Sequence, residues 1–336
     1  MKRHLTAAAA LALAFALTGC SVPFGSELAR NSNRPAETAQ PALDPVAQGE
    51  SKATVPLYFQ YGSEAYLSTE SRTITVADAL SLEEAALKAL IAGPSASSLE
   101  LKSVINPHTR VVSVTEQGGC YFVTLSAEFL EPISGLPEGW RNDATWSQLV
   151  QSTQQLAAYS VVNTLLSLGR AKTVQILIAD GADASPRRPT RSEMGFSLEQ
   201  DGLQLMEPLG MDLSRVLTAE RAAQLILQAV RDKNWARVER FVAQSVPDQS
   251  HTRPTRQQLI AELGELDVTL IDATVQGSAV TAGGQLCTVI LDLSLQRAGS
   301  GEPQTLAAVP LTFVWENNGW LMSYSALELM IRGDAS

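Results

Sequence analysis

The chain has 336 residues, of which 45% are hydrophobic, 18% charged and 6% aromatic, with 22 Gly, 16 Pro and 3 Cys. It is too apolar for a disordered tail, too poor in Cys for a disulfide scaffold, and long enough for roughly two domains that each bury a core. A formal charge of −10, with no basic cluster to offset it locally, argues against nucleic acid as a partner.

Lys2 and Arg3 precede an apolar run from Leu5 to Leu17. At about 13 residues it is shorter than the ~20 that a membrane-spanning helix needs, and it reads as a secretory leader. The run ends in Leu17-Thr18-Gly19-Cys20, which resembles the lipobox of bacterial lipoproteins. The resemblance implies a signal peptide over 1–19, cleavage before Cys20, and acyl chains such as palmitate on the Cys20 side. The mature protein would then sit on the outer face of the cytoplasmic membrane, extracytoplasmic and held by lipid. Losing Lys2 and Arg3 takes the charge from −10 to −12, so attachment is covalent and not electrostatic. Residues 20–52 hold that Cys and a Ser, Ala, Pro, Gln and Asn-rich stretch without apolar periodicity, which reads as a flexible tether.

Residues 53–211 mix two periodicities. Val55 to Tyr61 and Arg72 to Val76 read as strands flanking a Gly62-Ser63 turn. Ser81 and Glu84 form a capping-box signal for a helix whose face carries Leu82, Ala85, Ala86 and Ile91 and which Gly93-Pro94 stops. Val111 to Val114 and Tyr121 to Leu125 flank the turn Gln117-Gly118-Gly119. A long helix from Thr145 to Leu168 turns Leu149, Leu156, Val162, Leu165 and Leu166 inward, with Gly169 at its C′ position, and Lys172 to Ile178 is a last buried strand. The order ββαββαβ predicts an α/β sandwich, one mainly antiparallel sheet covered by helices.

Leu90-Ile91-Ala92-Gly93-Pro94, the run from Gly119 to Phe129, Val161-Val162-Asn163-Thr164-Leu165 and Val174 to Ile178 resemble, in order, the motifs of the GerM domain. That domain occurs in sporulation and germination lipoproteins and in LpqB lipoproteins. The resemblance implies a non-catalytic interaction or assembly role in the cell envelope. Cell-envelope or sporulation-complex proteins would be its partners, and likeness to ring-building modules implies self-association. Read as residues, the motifs are structural: Gly93-Pro94 stops a helix, Gly118-Gly119 makes a turn, and Asn163 bonds from a helix to a neighbouring loop. A second GerM copy is not apparent.

Residues 212–336 begin at a junction over Asp212 to Arg215. A helix from Thr218 carries Ala222, Leu225, Ile226, Ala229 and Val230 on one face; a short one carries Trp235, Val238, Phe241 and Val242; Thr255 to Leu263 is a third. Strands follow at Val268 to Val275, Leu286 to Leu295, Leu306 to Trp315 and Trp320 to Ser325, the last two joined through Asn317-Asn318-Gly319. Helices ahead of four antiparallel strands, with Lys233-Asn234-Trp235-Ala236 and the late Trp315 to Trp320 hairpin, resemble the NTF2-like α+β cone. The concave face of such a cone is a pocket, an interface or a core.

Outside the leader the chain holds two His, His108 and His251. No Gly-x-Ser-x-Gly, His-Glu-x-x-His, Cys-x-x-Cys or Gly-x-x-x-x-Gly-Lys occurs, so no catalytic residue, metal ligand or cofactor is expected. His108 reads as a loop residue. His251, with Asp267 or Asp272, is the candidate pocket edge for an alternative reading, a small-molecule-binding protein or enzyme using the C-terminal cone. Cys120 and Cys287 read as free thiols in apolar strands of different domains. Trp235, Trp315 and Trp320 read as core. Peptidoglycan is a further candidate partner.

Overall fold

The structure, a computed structural model, describes residues 50–78, 80–133, 135–181, 184–197, 200–245, 253–266, 268–297 and 302–332. The leader, the lipobox with Cys20 and nearly all of the tether lie outside these residues, as do His251 and Asp267.

β1 (Glu50–Tyr61) and β2 (Leu67–Ala77) form an antiparallel pair. β1 begins three residues inside the segment read as tether, because Glu50, Ser51 and Lys52 pair with Ala77, Val76 and Thr75. Ala53, Val55, Leu57, Phe59 and Tyr61 alternate into the core, as the period of a strand requires. α1 (Leu82–Ile91) starts in the expected capping box, Ser81 Oγ accepting from the Glu84 N–H and Glu84 reaching back to the Ser81 N–H. Its C-terminus is closed by a side chain that the helix signals do not reveal. Arg72 of β2 donates to the carbonyls of Ala89 and Gly93, at 3.1 and 2.9 Å, where the helix dipole favours a cation.

β3 (Leu101–Lys102) covers the other edge of β1 only at Gln60 and Tyr61. Further along that edge α2 (Ala144–Leu166) takes over: Ser160 donates to the Tyr58 carbonyl at 2.6 Å, and Thr164 Oγ1 accepts from the Tyr58 N–H at 3.1 Å. One helical turn thus satisfies both backbone groups of a buried residue.

β4 (Val111–Gln117) and β5 (Cys120–Ser126) form a two-residue hairpin with Gly118 at φ 63° and Gly119 at φ 77°, the conformation that glycine adopts without strain. β6 (Thr173–Ala179) pairs with β5 in parallel, with α2 as the crossover between them, and β7 (Leu209–Gly210) closes the sheet in the order β4-β5-β6-β7. The α/β character holds, but the strands are divided between this sheet and the separate β2-β1-β3 sheet. Two details of α2 differ from expectation. Leu149 is exposed and not inward, whereas its neighbour Val150 is buried, and Gly169, at φ 80°, stands two residues beyond the cap Ser167.

The second part opens with α3 (Ala219–Arg231), α4 (Trp235–Arg240) and α5 (Arg256–Glu265), capped by Thr218, Asn234 and Thr255. β8 (Val268–Val280), β9 (Leu286–Arg297), β10 (Gln304–Glu316) and β11 (Gly319–Met322) follow as an antiparallel sheet in the order β11-β10-β9-β8. Asn317 and Asn318, at φ 52° and 61°, make the last turn, and Gly319 already pairs with Glu316. β11 ends at Met322, not at Ser325 as the sequence pattern suggests, and the chain turns into a helix, α6 (Tyr324–Arg332). Its Leu327, Met330 and Ile331 are buried at helical spacing. No described helix is long and apolar enough to cross a membrane.

Candidate functional site

Of the residues singled out for chemistry, Asp272 is the one pocket-edge candidate that the structure describes. A bulge between Leu270 and Asp272 turns its largely exposed carboxylate outward, 3.9 Å from the Arg231 guanidinium. His108 occupies an exposed turn, its N–H bonded to Asn106 Oδ1 at 3.0 Å. Among the described residues no group of three His, Cys, Asp or Glu side chains is placed to hold a metal.

Among the described residues, the C-terminal sheet turns an apolar face into the core. Leu270, Val289, Leu291, Leu311 and Phe313 are buried there together with Ala222 and Ile226 of α3. Trp320 is fully buried with its ring edge-on to Trp315 at 5.4 Å, as core packing predicts. A crevice between α5 and α6 has a volume of only about 20 Å³. Cys120 and Cys287 are both free thiols; Cys287 is buried, but Cys120 is half-buried. Burial pushes the Cys287 thiol up to about 11, away from thiolate chemistry at neutral pH.

The two parts meet along a continuous seam. Glu64, in the turn between β1 and β2, accepts from Arg237 Nε at 3.2 Å and from Nη2 at 2.5 Å, with Arg240 4.0 Å away. Tyr61 packs on Phe241 with ring centroids 5.8 Å apart, and the Arg221 guanidinium lies 5.3 Å over the Tyr66 ring. Backbone continues the contact. The Leu217 N–H donates to the Leu67 carbonyl at 2.7 Å, Asn318 Nδ2 donates to the Thr69 carbonyl at 3.1 Å, and Ser68 Oγ donates to the Asn318 carbonyl. Asn163 of α2 holds the junction with two bonds, donating to the Asp212 carbonyl at 3.2 Å and accepting its N–H at 3.1 Å. That Asn fills the helix-to-loop role its motif suggested. Glu64 and Arg237 carried no motif; a turn acid and a helix base far apart in sequence become partners only in three dimensions.

A second feature belongs to the N-terminal part alone. Phe129, Pro132, Ile133, Leu136, Leu149 and Val150 line a cleft of about 280 Å³ between the segment after β5 and the first turns of α2. Leu149 is 49% exposed, and Trp146, one turn away, is 36% exposed. The helix face assigned to the core therefore borders an open apolar cleft.

Residues 56–184 match the Germane family, described as sporulation and spore germination. This segment is a GerM-like domain. It contains β1 from Pro56 onward and β2 to β6 with α1 and α2, so it supplies the Glu64 side of the seam and the lining of the apolar cleft. Among solved structures, the chain is similar to the tandem GerMN domains of the sporulation protein GerM from Bacillus subtilis. The likeness has 18% identity and a TM-score of 0.32, over 49% of this chain and 47% of that one, so the chain spans about half the length of that protein. It is also similar to an LEH-like epoxide hydrolase from M. tuberculosis, with 14% identity and a TM-score of 0.24, over 34% of this chain and 90% of that one. Neither likeness extends the assignment beyond the matched segment. No curated protein matches the chain.

Proposed function

We propose that the protein is a membrane-anchored extracytoplasmic lipoprotein that serves as a non-catalytic interaction and assembly module of the cell envelope during sporulation or spore germination. The match of 56–184 to the Germane family carries this reading. The lipobox sequence ending at Cys20 supports the anchor, and the seam between the two parts supports a scaffold that presents one joined surface to partners. Envelope or sporulation-complex proteins, further copies of the chain, and peptidoglycan are the partners this role calls for.

In-cell crosslinking of the intact chain, followed by affinity capture and mass spectrometry, tests the role. Recovery of the chain itself with envelope proteins is the expected result, and recovery of nothing above an untagged control overturns it. Fractionation of cells making Cys20→Ala tests the anchor separately. The variant leaves the membrane fraction if Cys20 bears the lipid, and unchanged retention refutes the anchor without touching the interaction role.

A further inference from the structure

We propose that Asn318, the residue before Gly319, is a modification site: its side-chain amide is lost when the seam between the two parts opens, and its conversion to Asp or isoaspartate then keeps the seam open. The chemistry starts from the sequence, in which Asn318-Gly319 is the one Asn-Gly pair. A main-chain nitrogen attacks the preceding Asn side chain most readily when it belongs to glycine, which has no Cβ to shield it. The Gly319 nitrogen adds to Asn318 Cγ, the Cγ–Nδ2 bond breaks, and the Gly319 proton leaves with Nδ2 as ammonia. Water then opens the five-membered imide at one carbonyl or the other, giving Asp or isoaspartate. Water is the sole co-reactant, and nothing is oxidised or reduced.

The closed seam holds both reacting groups. Gly319 pairs with Glu316 across the β10–β11 turn, which ties its nitrogen into the ladder. Asn318 Nδ2 donates to the Thr69 carbonyl at 3.1 Å, and the Asn318 carbonyl accepts from Ser68 Oγ, both across the seam. Asn318 is half-buried there and Gly319 is buried. Ring closure needs the side chain to release Thr69 and the glycine nitrogen to leave the ladder, so the reaction proceeds from the opened seam.

Conversion removes what closes the seam. An Asp carboxylate has only acceptors to set against the Thr69 carbonyl, so a donor is replaced by repulsion. Isoaspartate also lengthens the main chain by one methylene next to Gly319, where even an added Cβ would lie 2.6 Å from the Tyr61 ring. A reversible opening thus becomes a permanent one, and the β1–β2 turn that the C-terminal part covers stays exposed.

Ageing of the purified full chain in mildly alkaline buffer tests the site. Peptide mass spectrometry reads the amide-to-carboxylate mass gain at Asn318, and chromatography separates isoaspartate from Asp. The native chain deamidates at least about tenfold more slowly than the chain unfolded in urea, because the rate follows the population of the open form. Glu64→Ala, which takes the acceptor from Arg237, raises the native rate about threefold or more, and urea too dilute to unfold the parent raises it likewise. Asn318→Asp carries one product from the start; it shows two separated unfolding transitions in urea where the parent shows one. Equal rates in native and unfolded chain, or a native rate unmoved by Glu64→Ala or by dilute urea, overturn protection by the seam. A single transition at the parent's midpoint in Asn318→Asp overturns the permanent opening.

Discussion

The Glu64 carboxylate in the β1–β2 turn receives two bonds from the Arg237 guanidinium of α4, although 173 positions separate the two residues in sequence. The pair is mostly withdrawn from solvent, with 9% of the Glu64 side chain and 23% of the Arg237 side chain accessible. It joins the GerM-like domain to the C-terminal part at the point where Tyr61 meets Phe241. Removing one partner leaves the other charge desolvated without compensation, so Glu64→Ala destabilises the chain by about 3 kcal/mol. Urea unfolding followed by circular dichroism and by tryptophan fluorescence measures it. The parent gives one coincident transition, and the variant gives two separated ones as the seam yields first.

Gly319 fits its neighbour closely. A Cβ on it would lie 2.6 Å from the Tyr61 ring, closer than carbon atoms approach. Gly319→Ala therefore costs about 2 kcal/mol or more through forced displacement of that ring. In the Tyr61→Leu background the added cost of Gly319→Ala falls by at least half, a coupling that a double-mutant cycle reads directly.

Among the described residues, the buried Tyr61 hydroxyl has no hydrogen-bond partner. Burial, with Glu100 nearby, raises its pKa above the ordinary phenol value of 10.0. The folded state thus holds this proton more tightly than the unfolded one. The stability linked to it is complete below pH 10 and is lost as pH rises from there towards the folded value. Tyr61→Phe removes both the buried polar atom and this titration. Its stability at pH 7 equals that of the parent or exceeds it by about 1 kcal/mol, and it declines less between pH 10 and 11 in thermal melts.

Glu70 predicts the opposite pH dependence. Burial disfavours its charge, but the Ser95 N–H, the Ser98 hydroxyl and Arg72 outweigh burial and hold the carboxyl below its ordinary 4.5. The stability it contributes is complete above pH 4.5 and is lost as pH falls through the folded value. Glu70→Gln costs about 2 kcal/mol at pH 7, and its difference from the parent shrinks as pH falls below 4.5 through the folded value.

The two thiols respond differently to alkylation. Cys287 is buried and its thiol is pushed up to about 11, whereas Cys120 is half-buried at the start of β5. In native protein at pH 8, iodoacetamide modifies Cys120, and Cys287 reacts only after denaturant is added. Peptide mass spectrometry at successive times reports both.

Local signals in the sequence located most elements because each depends on neighbours in the chain. Ser81 with Glu84, Thr218 before Ala222, and Gly118-Gly119 between two apolar runs each place a boundary by capping or turn chemistry within a few residues. Asn163 showed as a polar residue within an apolar helix motif, and it does bond to a loop, at Asp212. Leu149 illustrates the limit. Its spacing matches the inward face of α2, but whether another segment covers that face is settled by tertiary packing, which no helical period encodes. The α6 helix was hidden for a similar reason, since Trp320 to Ser325 has strand composition and the change of direction at Ser323 belongs to the packing of Leu327 and Ile331.

The sequence by itself determined the caps, the turns, the GerM-like motifs and the absence of recognisable catalytic signatures, all properties of residues close together along the chain. Tertiary structure alone decided that Glu64 faces Arg237, that Tyr61 lies against Gly319, and that the open apolar cleft lies in the GerM-like domain. Those outcomes turn on which surfaces meet after the elements form, and burial of area between distant segments is a property of the folded arrangement, not of any local window.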